Sequence, residues 1–241
     1  MTDKLNVNAI EPEGATTTMN VGRTGKNVII TDNLKANTLK DAGGNTLFTS
    51  NGSGVLSSVN SAFGKGGPTL LDTETASGHS ELNFESNIDS NYSLYIFRFY
   101  DYNPATDNTH LTFQGSINAG GAYAVAMTTT VFYARHYESD ASTLTYDSGD
   151  DQMLGTGYQK ITLGVGNDSD ASASGELYLL NPSSTTYITH WWCESQLMYA
   201  LDASTNYYSA GYFNTADNID AISFKPVSGN FDGVIKMYGL N

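Results

Sequence analysis

The sixteen tyrosines, ten phenylalanines and two tryptophans of this 241-residue chain are distributed very unevenly: all but Phe48 and Phe63 lie beyond residue 65. Large aromatic side chains supply much of the apolar area that a small core buries. The first quarter of the chain therefore cannot close a sizeable core from its own residues, whereas the remainder can. Charge divides at the same place. Residues 1–65 carry six basic and five acidic side chains, and residues 66–241 carry five basic and twenty acidic ones. The glycine cluster Gly64-Lys65-Gly66-Gly67, before Pro68, marks the boundary. This gives an arm over residues 1–66 and a larger lobe over 67–241.

Within the arm the pattern predicts short strands at Asn27–Thr31 (NVIIT), Asn45–Ser50 (NTLFTS) and Val55–Val59 (VLSSV), joined by the turns DAGG and NGSG. A small isolated sheet is marginal in water. Two readings follow. The strands pair with other chains, as an anchor or an interwoven stalk in which Leu47, Phe48, Val55, Leu56 and Phe63 fill a thin shared core. Alternatively, the arm is ordered against its own lobe.

In the lobe, strand signals recur at regular spacing: 70–74, 80–85, 92–100, 110–117, 123–137, 143–146, 158–165, 176–180, 185–201, 207–213, 219–225 and 233–238. Turn-forming stretches such as Asn181-Pro182 and DSGD separate them, and no window sustains a 3.6-residue apolar period. The expected class is all-β, with an antiparallel, jelly-roll-like sandwich behind an N-terminal short-strand arm. The strand YSLYIFRFY (92–100) is apolar on both faces and is expected to be central and covered on both sides. In TTYITHWWCESQLMYAL (185–201), alternation puts Tyr187, Thr189, Trp191, Cys193, Ser195, Leu197 and Tyr199 toward the core. The opposite face carries His190, Trp192 and Glu194, a mixture of aromatic and charged groups that suits a glycan site or a subunit interface.

A net charge of −14 disfavours nucleic acid and anionic membranes. No apolar run is long enough to span a bilayer, and the N-terminus lacks the pattern of a signal peptide. The single cysteine, Cys193, rules out an intrachain disulfide. Four scattered histidines show no ligand spacing, so no metal site is expected. The acidic loops 101–108, 147–151 and 166–176 read as solvated turns, with calcium the one cofactor they could hold. No nucleophile elbow or phosphate loop is present, and no carboxylate pair is nominated for glycoside hydrolysis. The chain is expected not to be an enzyme.

The stretches LKANTLKDAGGNTLFTSNGSGVLSSVN (34–60), YSLYIFRFYDYNPATDN (92–108), NPSSTTYITHWW (181–192) and IDAISFKPVSGNFDGVIKMYGLN (219–241) resemble virion structural proteins of tailed phages that infect marine bacteria. The resemblance implies a non-enzymatic homotrimer with an outward β-sandwich knob. It also implies assembly in the host cytoplasm and residence in the virion beside other capsid or tail proteins. A fibre or decoration protein on the capsid is the leading expectation, since the chain lacks repeated shaft segments. The alternative is a lectin-like tail-fibre module that recognises host surface glycan.

Overall fold

In a computed structural model of the protein, the described residues are 38–41, 43–53, 56–59 (backbone only) and 67–241. The chain divides into two units, Met1–Phe63 and Gly64–Asn241. The described part of the first unit is a three-stranded antiparallel sheet of β1 (Thr38–Lys40), β2 (Thr46–Ser50) and β3 (Leu56–Val59), with β2 in the middle. Strand β1 was not foreseen. The β1–β2 turn is fastened by Asp41, whose carboxylate accepts from both the backbone and side-chain amides of Asn45, at 2.8 and 3.0 Å. No side chain described in this sheet is fully buried; Leu47 and Phe48 are half-buried. Leu56 lies in β3. Val55, Phe63 and the expected strand 27–31 fall outside the described residues.

The second unit is an antiparallel β-sandwich, with no helix among its described residues. Its large sheet has eight strands in the order β4 (Thr69–His79), β15 (Phe231–Leu240), β6 (Leu94–Pro104), β11 (Ala173–Leu180), β12 (His190–Tyr199), β13 (Ala203–Phe213), β8 (Met127–Tyr137) and β9 (Ser142–Tyr146). The small sheet is β10 (Gln159–Lys160), β7 (Leu111–Ser116), β14 (Ala221–Pro226) and β5 (Leu82–Phe84). Each expected strand of the lobe has a counterpart.

Aromatic rings join the two sheets. Phe113 of β7 meets Trp191 of β12 edge-on at 4.7 Å and Phe213 of β13 at 6.2 Å. Phe84 of β5 and Phe224 of β14 meet Phe97 of β6 at 5.3 and 5.5 Å. Edge-on and tilted contacts at these separations are the favoured aromatic geometry. The outer side of the small sheet is also closed. Gln114 donates through Nε2 to the carbonyls of Thr156 and Gly157, and Tyr158 donates to Ser223 Oγ. A loop therefore covers the polar residues of β7, and all six residues of that strand are buried.

Several strands start or end away from the expected residues, and three of these differences have a clear local reason. Strand β12 begins at His190, because Ser184 Oγ accepts from the amides of Thr186 and Tyr187 and holds the preceding residues in a turn. Tyr187 is consequently exposed rather than in the core. Strand β10 ends at Lys160, where the Thr162 hydroxyl replaces a backbone carbonyl as acceptor for the Leu111 amide. Strand β8 begins at Met127, because Asn118 Oδ1 takes the amide of Ala122 into a loop. Strand β6 is central, yet only its inward face (Tyr95, Phe97, Phe99) lies under the small sheet. On the outward side Ile96 is buried, flanked in register by Tyr178 and Tyr238, while Arg98 is half-buried and Tyr100 exposed.

Candidate functional site

Strand alternation gives the eight-stranded sheet an outer face directed away from the small sheet. His190, Trp192 and Glu194 all lie there, on β12, opposite the buried Trp191, Cys193 and Ser195. Burial raises the Cys193 thiol well above its ordinary pKa and leaves it inert.

Register assembles the rest of the face. Trp192 lies opposite Tyr178 of β11, and the two rings stack at 4.9 Å with planes 13° apart. Glu194 lies between Glu176 of β11 and Tyr208 of β13. Tyr208 in turn stacks on Phe132 of β8 at 4.9 Å. His190 meets Tyr212 edge-on at 6.1 Å. The result is a line of aromatic plates crossing four strands, with shallow grooves of about 470 and 460 Å3 on either side of Trp192. Sequence reasoning placed the three β12 residues on one face, as the structure does, but did not single out Tyr178, Tyr208 and Phe132 beside them. Their grouping depends on cross-strand register, for which one sequence carries no signal.

The charged groups on this face are partnered. Arg98 Nε contacts Glu176 Oε1 at 2.8 Å, and its guanidinium lies over Tyr238 at 5.3 Å. Tyr178 donates its hydroxyl to Glu176 Oε2, which raises the pKa of the phenol. Asn206 donates to Glu194 Oε1 at 3.0 Å. The sheet thus brings two carboxylates side by side, Glu176 and Glu194, that the sequence did not nominate as a pair. Each is engaged by a neighbour that fixes its direction. Oriented acceptors beside flat rings can hydrogen-bond and stack, which suits a saccharide ring or a protein surface.

A second polar cluster corrects the reading of loop 147–151 as solvated. Asp150 is buried; it is held by an ion pair with Lys160 of β10 and by the Tyr207 hydroxyl of β13 at 3.1 Å. His110 Nδ1 stands 4.0 Å from the same carboxylate and 2.9 Å from the Thr162 carbonyl. Burial lowers the His110 pKa and raises that of Tyr207 far above its usual value. The cluster fastens the loop to both sheets. Among the described residues no group of three or more His, Cys, Asp or Glu side chains converges as a metal centre would need.

The chain matches no family model, no curated protein and no solved structure.

Proposed function

We propose that this protein is a non-enzymatic structural component of a tailed-phage particle, a homotrimeric fibre or decoration protein attached to the capsid through its first unit. The observation that carries this reading is the contrast between the units. The lobe closes a full aromatic core, whereas none of the side chains described in β1 and β2 of the first unit is fully buried. Such a sheet needs apolar surface from elsewhere to be stable, and docking on a particle or on neighbouring copies supplies it. The acidic lobe suits display, because like charge keeps crowded copies soluble and apart. Deleting residues 1–65 is expected to leave a folded lobe that is no longer incorporated into particles; incorporation at wild-type level would remove the anchor assignment.

The aromatic line on the outer face favours a second reading, a lectin-like module that binds host surface glycan over Tyr178 and Trp192, with Glu194 and Asn206 as hydrogen-bonding groups. A glycan array probed with the full chain, calcium present, tests it. Binding that Trp192→Ala abolishes would support this reading, and an empty array would count against it.

A further inference from the structure

The sandwich has four sheet edges, and three of them are guarded. Strand β4 carries Asp72 and Glu74 and is bulged in two places against β15. Strands β5 and β10 are only three and two residues long. Short, charged or bulged edges are how sheets avoid pairing with other chains. Strand β9 has none of these devices. Its sequence, Ser-Thr-Leu-Thr-Tyr, favours strands and contains no charge and no proline.

The backbone of β9 is open as well. The Asp147 amide donates to the Val131 carbonyl at 2.9 Å, and the Tyr137 amide donates to the Ala141 carbonyl at 2.8 Å. Both contacts keep the register in which Thr145 faces Tyr133 and Thr143 faces Arg135. Hydrogen-bonded pairs alternate along an antiparallel ladder. The N–H and C=O groups of Leu144 and Tyr146 therefore point away from β8, toward the open edge. Leu144 and Tyr146 are 76% and 56% exposed, and Met153 and Leu154, in the segment that continues along β8, are 88% and 58% exposed. Backbone groups and an apolar strip at one edge make a site for strand addition.

Charge selects the occupant. Glu138 and Asp140 precede β9, and Asp147 and Asp151 follow it. A second β9 laid against the first would set acid against acid at both ends. The complementary segment is an apolar strand with basic flanks. In this chain that describes Asn27–Thr31, of the same five-residue length as β9, with Arg23 and Lys26 before it and Lys35 after it, against the single acid Asp32. We propose that the open edge of β9 is completed by Asn27–Thr31 of a second copy, which adds a ninth strand to the large sheet. The proposal rests on reading residues 1–65 as an assembly segment.

The test is amide hydrogen exchange on the full-length chain, with its oligomeric state measured in parallel by sedimentation. The Leu144 and Tyr146 amides are expected to be protected in the wild-type oligomer. They should exchange more than about tenfold faster in Ile30→Asp, but not in Ile30→Val. Leu144→Lys, on the exposed edge, should free the Tyr146 amide without touching the arm. Open amides in a wild-type oligomer would overturn the β9 site and leave the assembly reading intact. Protection that survives Ile30→Asp would overturn the named occupant and point to another strand, such as a second β9. A monomeric wild-type chain with open amides would overturn the proposal together with the assembly reading.

Discussion

Replacing Phe113 with alanine tests the packing on which the lobe depends. Phe113 is fully buried in β7, against Trp191 at 4.7 Å, Phe213 at 6.2 Å and Phe224 at 6.3 Å. Truncating a buried Phe removes its transfer free energy and leaves a cavity, at a cost of about 3–5 kcal/mol. The site lies between two sheets whose strands are fixed by their ladders, so collapse around the gap is limited. A loss of at least the middle of that range, about 4 kcal/mol, is expected. For a lobe of this size that corresponds to a fall in melting temperature of roughly 8–16 °C. The assay is thermal and urea unfolding of the full chain, followed by near-ultraviolet circular dichroism. Phe132→Ala is the control, since Phe132 lies on the outer face and is 42% exposed; it should cost about 1 kcal/mol or less in the isolated protein. A Phe113→Ala loss below about 1 kcal/mol, or a control loss as large as that of Phe113→Ala, would refute the assignment of the core to the space between the two sheets.

Three further substitutions probe separate parts of the structure. Gly175→Ala in β11 would place a Cβ against the Glu194 carbonyl oxygen, 2.6 Å from the Phe99 ring and 2.9 Å from Ser195 Cα; a loss of about 1–3 kcal/mol in urea unfolding is expected. Asp150→Asn breaks the buried pair with Lys160, and because Lys160 is about a third exposed and can turn to water, the expected loss is about 1–3 kcal/mol, with faster proteolysis of loop 147–151. His110 binds its proton less readily when folded than its ordinary value of 6.5, with burial the main cause and Lys160 acting in the same direction against Asp150. Between the lowered folded pKa and about 6.5, the unfolded chain thus holds more protons, and stability falls as pH drops through that window. His110→Asn should flatten this part of the stability–pH curve, and an unchanged slope would contradict it.

The strands of the lobe were legible in the sequence because alternation and turn residues are local signals. Thr185–Leu201 shows how far such signals reach. Its alternation correctly separated Trp191 and Cys193 from Trp192 and Glu194, yet it placed Tyr187 in the core because the Ser184 turn was not recognised. Strand order was not legible. Strand β15 inserts between β4 and β6 far from its sequence neighbours, and that pairing depends on which apolar faces meet once the chain has collapsed. Strand β1 was missed because Thr-Leu-Lys is too short to show a period. Asp150 resembles the solvated acids beside it in Asp-Ser-Gly-Asp-Asp; its partners Lys160, ten residues on, and Tyr207, on another strand, distinguish it. The aromatic line was half visible: Trp192 stood out, but Tyr178 and Tyr208 join it only through register.

The central claim, that the lobe is displayed on a phage particle and held there by the first unit, is tested most directly by immunogold electron microscopy of intact particles, with antibody raised against residues 67–241. Gold distributed over the head is the predicted result. Gold confined to the tail would transfer the account to glycan recognition on the outer face of the large sheet. Particles without label, from a preparation in which the antibody detects the free protein, would contradict a structural role in the virion.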